Sequence, residues 1–88
     1  MDAVQQAEKN EECRREVRAY LADRPSVALS AGTIRRGLQA EWNYNAEEIT
    51  NALGFLRSLD QVAQTRAELG STLYYRISAT GTLAHERG

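Results

Sequence analysis

The stretch from Asn45 to Ser58 places the strongest constraint on how this chain of 88 residues can fold. Asn45 has the side chain of a helix N-cap, and Glu48, three residues later, completes the reciprocal pattern of a capping box. Apolar side chains then follow at helical spacing, so one side of the segment is apolar along its length. The sequence therefore predicts a helix over residues 46–58 whose buried side carries Ile49, Ala52, Leu53 and Leu56.

Two more helices are predicted on the N-terminal side of this segment. The first covers residues 10–23, because apolar positions repeat at helical spacing and Pro25 forces the residue before it out of the helical region. A brief strand follows over residues 26–29. Ser30 is placed to cap a second helix that ends near residue 41. The apolar face of the first helix carries Cys13, Val17, Tyr20 and Leu21, and that of the second carries Ala31, Ile34 and Leu38.

The C-terminal third of the sequence changes from helical to β-favouring patterns. Residues 61–68 and 72–77 are two such runs, and a Gly-Ser turn signal between them predicts a hairpin. Ser78 can cap a short last helix that ends near residue 85. The predicted fold class is therefore α+β, with a three-helix core, a C-terminal β-hairpin and a short last helix.

Length and composition restrict the class of protein. A chain of 88 residues has the length of one domain, and 42% hydrophobic with 26% charged residues is ordinary for a soluble globular protein. We expect a polar extension of the first helix over residues 1–9 and the domain itself over residues 10–88. No apolar run approaches the ~18 residues of a spanning helix. The polar N-terminus has neither the pattern of a signal peptide nor that of a transit peptide, so a cytoplasmic location is expected.

Two stretches of the sequence resemble the winged helix-turn-helix family. The first, EEITNALGFLRSLDQV (residues 47–62), is similar to a third helix that runs into a wing. The second, YYRISATGTLAHE (residues 74–86), is similar to a wing strand that meets a Ser/Thr cap and a closing helix. The resemblance extends from Arg14 to His85 and implies that the hairpin is the wing. The small size is also similar to winged-helix proteins encoded by Mu-like prophages.

The resemblance implies a small transcription regulator of phage or prophage origin that binds duplex DNA. In a helix-turn-helix, the outer face of the last helix enters the major groove, where an asparagine can pair with adenine. We expect the two wing arginines to lie nearly opposite one another and to flank a phosphate or a minor groove. The residues predicted to contact DNA are Arg35, Arg36, Thr50, Asn51, Arg57, Arg66 and Arg76.

An alternative function follows from the charge of the chain. Winged-helix DNA binders usually carry basic residues on the third helix, whereas here Glu47 and Glu48 open it. The net charge is −1 and the sequence pI is about 5.8, which argues against strong non-specific binding to phosphate backbones. The alternative is a protein-interaction module on the same frame, acting as a homodimer or with another protein partner.

The sequence offers little support for catalysis or for a bound cofactor. Cys13 is the single cysteine and His85 the single histidine, which excludes a disulfide within the chain and a cysteine-cluster metal site. Cys13 belongs to the apolar face of the first helix, where a buried structural thiol is expected. No glycine-rich phosphate loop and no metal-ligand spacing is present. We therefore expect a binding protein and not an enzyme, with no metal and no small-molecule cofactor.

Overall fold

Residues 3–88 are described by the computed structural model, which contains four helices and three strands within that range. The strands form one antiparallel sheet in the order β1-β3-β2. The order of elements along the chain is the one that the sequence predicts. The elements are α1 (Ala3–Ala22), β1 (Leu29–Ser30), α2 (Ala31–Leu38), α3 (Ala46–Ser58), β2 (Val62–Arg66), β3 (Leu73–Ile77) and α4 (Ala79–Arg87).

Helix α1 begins earlier than predicted. The predicted start was near residue 10, but the helix begins at Ala3. Its first part, AVQQAEKNEE, consists mostly of strong helix formers and contains neither glycine nor proline, so it continues the helix even though residues 3–8 are all exposed. Most of the predicted polar extension is therefore helical, and its residues 1 and 2 lie outside the described residues.

Helix α2 and strand β1 are shorter than predicted. The second helix ends at Leu38, not near residue 41, because the chain turns there. The carbonyl oxygen of Leu38 accepts hydrogen bonds from the amides of Glu41 at 3.1 Å and of Trp42 at 2.8 Å. The predicted strand over residues 26–29 is reduced to Leu29 and Ser30, which pair with β3.

The core lies between α1, α2, α3 and one face of the sheet. The predicted apolar faces of α1 and α3 are confirmed, except that Tyr20 is only half-buried and its ring packs against Gly37 on α2. Full burial of one such side chain stabilises the fold by roughly 1.5–3 kcal/mol. The buried apolar residues are Cys13, Val17, Leu21, Ile34, Leu38, Tyr44, Ile49, Ala52, Leu53, Leu56, Val62, Tyr75 and Ile77.

A tight turn after α3 sets the direction in which β2 leaves the helix. Asp60 lies in the left-handed region with φ of 57°. The Gln61 amide donates to the Leu56 carbonyl at 2.9 Å and the Asp60 amide donates to the Arg57 carbonyl at 3.0 Å. These two bonds are those of a Schellman motif. The turn therefore satisfies the last carbonyls of α3 and aligns the hairpin beside that helix.

Replacing Asn45 with alanine should lower the free energy of unfolding by about 1 kcal/mol, because a good N-cap is worth that much. The Asn45 side chain accepts from the Glu48 amide at 2.8 Å, and the Glu48 carboxylate accepts from the Asn45 amide at 3.0 Å. Urea unfolding measures the change. Asn43→Ala, at an exposed connector position that caps no helix, is the matched control. Equal effects of the two substitutions would contradict the assignment of the cap.

Candidate nucleic-acid interface

Helix α3 is anchored at its first turn by contacts to α1. Lys9 forms an ion pair of 3.0 Å with the Glu48 carboxylate, and the Cys13 thiol donates to the Glu48 carbonyl oxygen at 3.7 Å. Burial by itself would raise the pKa of Glu48, but the hydrogen bond from the Asn45 amide and the nearby Lys9 ammonium outweigh it and lower that pKa. Glu48 is therefore held as a charged structural residue that fixes the orientation of α3 against α1.

The outer face of α3 is exposed along its whole length. Its side chains lie opposite the buried Ile49 and Leu53, as the helical period requires. Ser58 donates back to the carbonyl of Phe55 at 2.6 Å, so its hydroxyl is used within the helix. The exposed residues on and beside this face are Glu47, Thr50, Asn51, Gly54, Arg57 and Ser58.

Arg57 and Arg66 lie on the same side of the β2–β3 hairpin. Arg57 donates a long hydrogen bond of 3.4 Å to Gln64 on β2. Gln64 pairs with Tyr75 and Arg66 pairs with Leu73, and residues at alternate positions of a strand share one face. That face carries the buried Tyr75 and therefore covers the helices. Arg66, exposed at the end of β2, thus continues the row that begins with Arg57 and Gln64.

The prediction that Arg66 and Arg76 lie nearly opposite one another is wrong. Arg76 pairs with Ala63, three residues from Arg66 along β2, and its side chain projects from the other face of the hairpin. The cause is the turn, since the Ala67 amide donates to the Thr72 carbonyl at 3.0 Å and closes a loop whose tip lies at residues 69–70. The Gly-Ser turn signal predicts a turn one residue later, at Gly70 and Ser71.

Arg35 and Arg36 occupy the last turn of α2. Arg36 is exposed and points away from the buried Ile34 and Leu38, whereas Arg35 is half-buried. Positive side chains in the last turn of a helix also interact favourably with its dipole. Both residues are therefore placed to stabilise the C-terminal end of α2.

The arginines of this surface form no ion pair with a carboxylate in the part of the chain that the structure describes. Among residues 3–88 the ion pairs are Lys9–Glu48 and one between neighbouring α1 residues, Arg15–Glu16. None of the five arginines predicted to contact DNA takes part in either of them. Glu47 on α3 and Glu68 in the hairpin loop are exposed carboxylates on the same elements. The charges of these arginines are therefore not neutralised by an ion pair within residues 3–88, on a surface of mixed charge.

The architecture matches solved structures over most of the chain. A variant of ZitR from Lactococcus lactis matches with a TM-score of 0.70 at 15% identity, covering 96% of this chain and 59% of that one. A variant of MepR from a multidrug-resistant S. aureus clinical isolate matches with a TM-score of 0.72 at 14% identity, covering 86% and 53%. The chain has a winged helix-turn-helix fold. It spans roughly half of the length of the structures that it matches.

The winged-helix fold identifies the part that each element plays in the architecture. Helices α2 and α3 are the helix-turn-helix, and β2 and β3 are the wing. No protein-family model matches the sequence, and no curated protein matches it. The comparisons give no support to the predicted phage origin. The likeness therefore concerns the fold of the winged-helix domain.

Other potentially reactive groups lie apart from this surface. Burial raises the pKa of the Cys13 thiol to about 11, and the nearby Glu48 and Glu12 carboxylates raise it further, so the thiol is held protonated. Within the described range no group of three or more His, Cys, Asp or Glu side chains is placed to hold a metal ion. None of the helices described is both long enough and apolar enough to cross a membrane.

Two contacts of α3 were not predicted from the sequence. Gln64 positions Arg57 against the wing, and its helix-facing side could be inferred from alternation only once the strand register was known. Phe55 on α3 is 45% exposed and lies under the Arg14 guanidinium, 4.1 Å from ring centroid to carbon. No local sequence pattern predicts the contact between Arg14 and Phe55, because the two residues are distant in the sequence.

Proposed function

We propose that this winged-helix chain is a DNA-binding protein and acts as a transcription regulator, not as an enzyme. Helix α3 enters the major groove with its outer face, as the last helix of a helix-turn-helix does. Asn51 reads a base edge there, and Thr50 lies beside it. The arginines Arg35 and Arg36 on α2 reach the flanking backbone.

The observation that carries this proposal is the shared placement of Arg57 and Arg66. Both lie on the side of the wing that faces the helices, and neither is paired with a carboxylate among the described residues. A phosphate backbone that runs beside a groove-bound α3 would pass along this side of the wing. Arg76 projects from the opposite face of the wing, so we assign it a smaller part in DNA binding than Arg66.

Fluorescence anisotropy with duplex DNA from the region upstream of the coding sequence tests the proposal. We expect micromolar or tighter binding at low salt that weakens steeply as salt rises, since phosphate contacts release counterions. Arg66→Ala should weaken binding to all sequences and lower the slope of log K against log salt by about 1. Asn51→Ala should cost about 1–3 kcal/mol on the preferred sequence and relax the preference at one base.

Two arginine variants serve as controls in the same assay. Arg87→Ala removes an exposed charge from the last residue of α4, a helix that packs against α1, and should leave affinity almost unchanged. Arg76→Ala should have a smaller effect than Arg66→Ala, because its side chain faces away from α3. Absence of binding at low salt and micromolar protein would refute the proposal. Equal losses for Arg66→Ala and Arg87→Ala would refute the placement of the interface.

A further inference from the structure

A notch between α1 and α3 opens beside the outer face of α3. It has a volume of about 210 Å³. Asn10 and Arg14 line it from α1, and Asn51, which the proposed function places at a base edge, lines it from α3. Glu48 also lines the notch, but its carboxylate is paired with Lys9 at 3.0 Å. The part of α1 next to the proposed base contact therefore carries an amide and a positive charge.

The side chain of Arg14 is positioned by an aromatic ring and not by a carboxylate. Its guanidinium lies over the ring of Phe55, 4.1 Å from ring centroid to carbon. A cation–π contact of this kind holds a guanidinium in place without removing its charge. Arg14 belongs to neither of the two ion pairs among residues 3–88. It is therefore a positioned cation that can still bind an anion.

Two amide side chains continue from Arg14 towards the N-terminal end of α1. Gln6, Asn10 and Arg14 follow one another at intervals of four residues and so form one row along the helix. The Gln6 amide donates to the side-chain oxygen of Asn10 at 2.9 Å, which leaves the amide group of Asn10 as a donor. The row itself contains no carboxylate. Glu11, which lies beside the row, is exposed and forms no ion pair with Arg14.

The row and the wing lie on different sides of α3. Phe55 lies toward α1, under Arg14, whereas Arg57 lies toward the wing, where it donates to Gln64. Residues two positions apart on a helix project about 160° from one another. The major groove is about 12 Å wide, close to the diameter of a helix with its side chains. A helix seated in that groove therefore has one phosphate backbone on each side.

We propose that α1 is a further DNA-contacting element of this protein. Arg14 and Asn10 bind the phosphate backbone on the side of α3 away from the wing, while Arg66 binds the backbone on the wing side. The inference rests on the proposed function, because it takes α3 to lie in the major groove. The partner is intact duplex DNA, since a single strand cannot present a backbone on both sides of one helix.

Fluorescence anisotropy with the upstream duplex tests this contact through two neighbouring arginines of α1. Arg14→Ala should raise the dissociation constant about tenfold at low salt and lower the slope of log K against log salt by about 1, because one phosphate contact is lost. Arg14→Gln, which keeps part of the side chain over Phe55, should show the same loss. Arg15→Ala is the matched control, since Arg15 is exposed and projects about 100° further round the helix. It should change the constant about twofold at most.

Neutral methylphosphonate linkages, placed one at a time in the same duplex, locate the contact. Linkages that weaken binding of the wild type but not of Arg14→Ala should lie on one strand. Those that weaken binding of the wild type but not of Arg66→Ala should lie on the other strand. In the double variant Arg14→Ala with Arg66→Ala the two losses should add, because the two arginines share no partner.

The outcomes separate this inference from the proposed function. Far-UV circular dichroism first verifies that each variant is folded. If Arg66→Ala weakens binding but Arg14→Ala binds like the wild type or like Arg15→Ala, the contact by α1 is overturned and the proposed function stands. Sensitive linkages for Arg14 and Arg66 on the same strand would also overturn the contact. A wild-type chain that does not bind the duplex at low salt would overturn both.

Discussion

Replacing Leu53 with alanine should lower the free energy of unfolding by about 2–5 kcal/mol. Leu53 is fully buried at the centre of α3 and belongs to the cluster that joins the three helices to the sheet. The substitution removes buried apolar surface and leaves a cavity that close-packed neighbours fill only in part. For a domain of this size the loss corresponds to a fall in Tm of roughly 10–30 °C.

Urea and thermal unfolding followed by circular dichroism measure this effect. The control is Leu69→Ala, which removes the same atoms from a side chain that is 94% exposed at the tip of the wing. Its effect should stay within about 0.5 kcal/mol, as for most surface substitutions. Similar losses at the two positions would show that Leu53 does not lie in the core.

Gly81→Ala should destabilise the protein by about 1–3 kcal/mol, as other insertions into a packed interior do. Helix propensity alone predicts that the substitution stabilises the protein, since alanine is more favourable than glycine in a helix by roughly 1 kcal/mol. Gly81 is buried in α4, and a β-carbon built on it overlaps the carbonyl oxygen of Gln61 and lies 2.8 Å from the Ile77 side chain. A backbone carbonyl cannot move aside cheaply, so the steric cost exceeds the gain in propensity.

Gly54→Ala is the matched control for this change. Gly54 also lies within a helix, but a β-carbon there meets no atom within 4 Å. It should therefore stabilise the protein by up to about 1 kcal/mol through helix propensity. Thermal unfolding of the two variants under the same conditions compares the signs directly. If both substitutions stabilise the protein, the contact between α4 and the turn at Gln61 is not as described.

The docking of α4 explains why Gly81 is sensitive. The Ser78 side chain accepts from the Gly81 amide at 3.0 Å, and its hydroxyl donates to the carbonyl of Asp60. The Ser78 amide donates to the carbonyl oxygen of Gln61 at 3.1 Å. One residue therefore caps α4 and ties it to the turn between α3 and the wing. The orientation of the wing relative to α3, on which the proposed DNA interface depends, is held at this point.

The sequence alone was enough to predict features that arise from neighbours along the chain. Three N-caps were predicted at the observed positions, and each accepts from the amide three residues later: Ser30 from Thr33, Asn45 from Glu48 and Ser78 from Gly81. The limits of α3 were also predicted correctly. These features depend on interactions within one helical turn, so a short stretch of sequence contains all the residues that determine them.

The candidate site was only partly predictable, because some of its features depend on residues that are distant in the sequence. The residue types that contact nucleic acid could be identified, and the exposed face of α3 follows from its period. The side of the wing on which each arginine lies could not be derived, because it depends on the strand register. A difference of one residue in the position of the turn changed the partners of Arg66 and Arg76.

Local sequence thus determined the helices, their caps, the presence of the hairpin and the α+β class of this protein. Tertiary structure decided that Arg57 and Arg66 share one side of the wing, that Gly81 must lack a side chain, and that Phe55 lies beside Arg14 in an open groove. The physical reason is distance along the chain. Hydrogen bonds between near neighbours form from local geometry, whereas strand register and packing depend on how distant segments fit together.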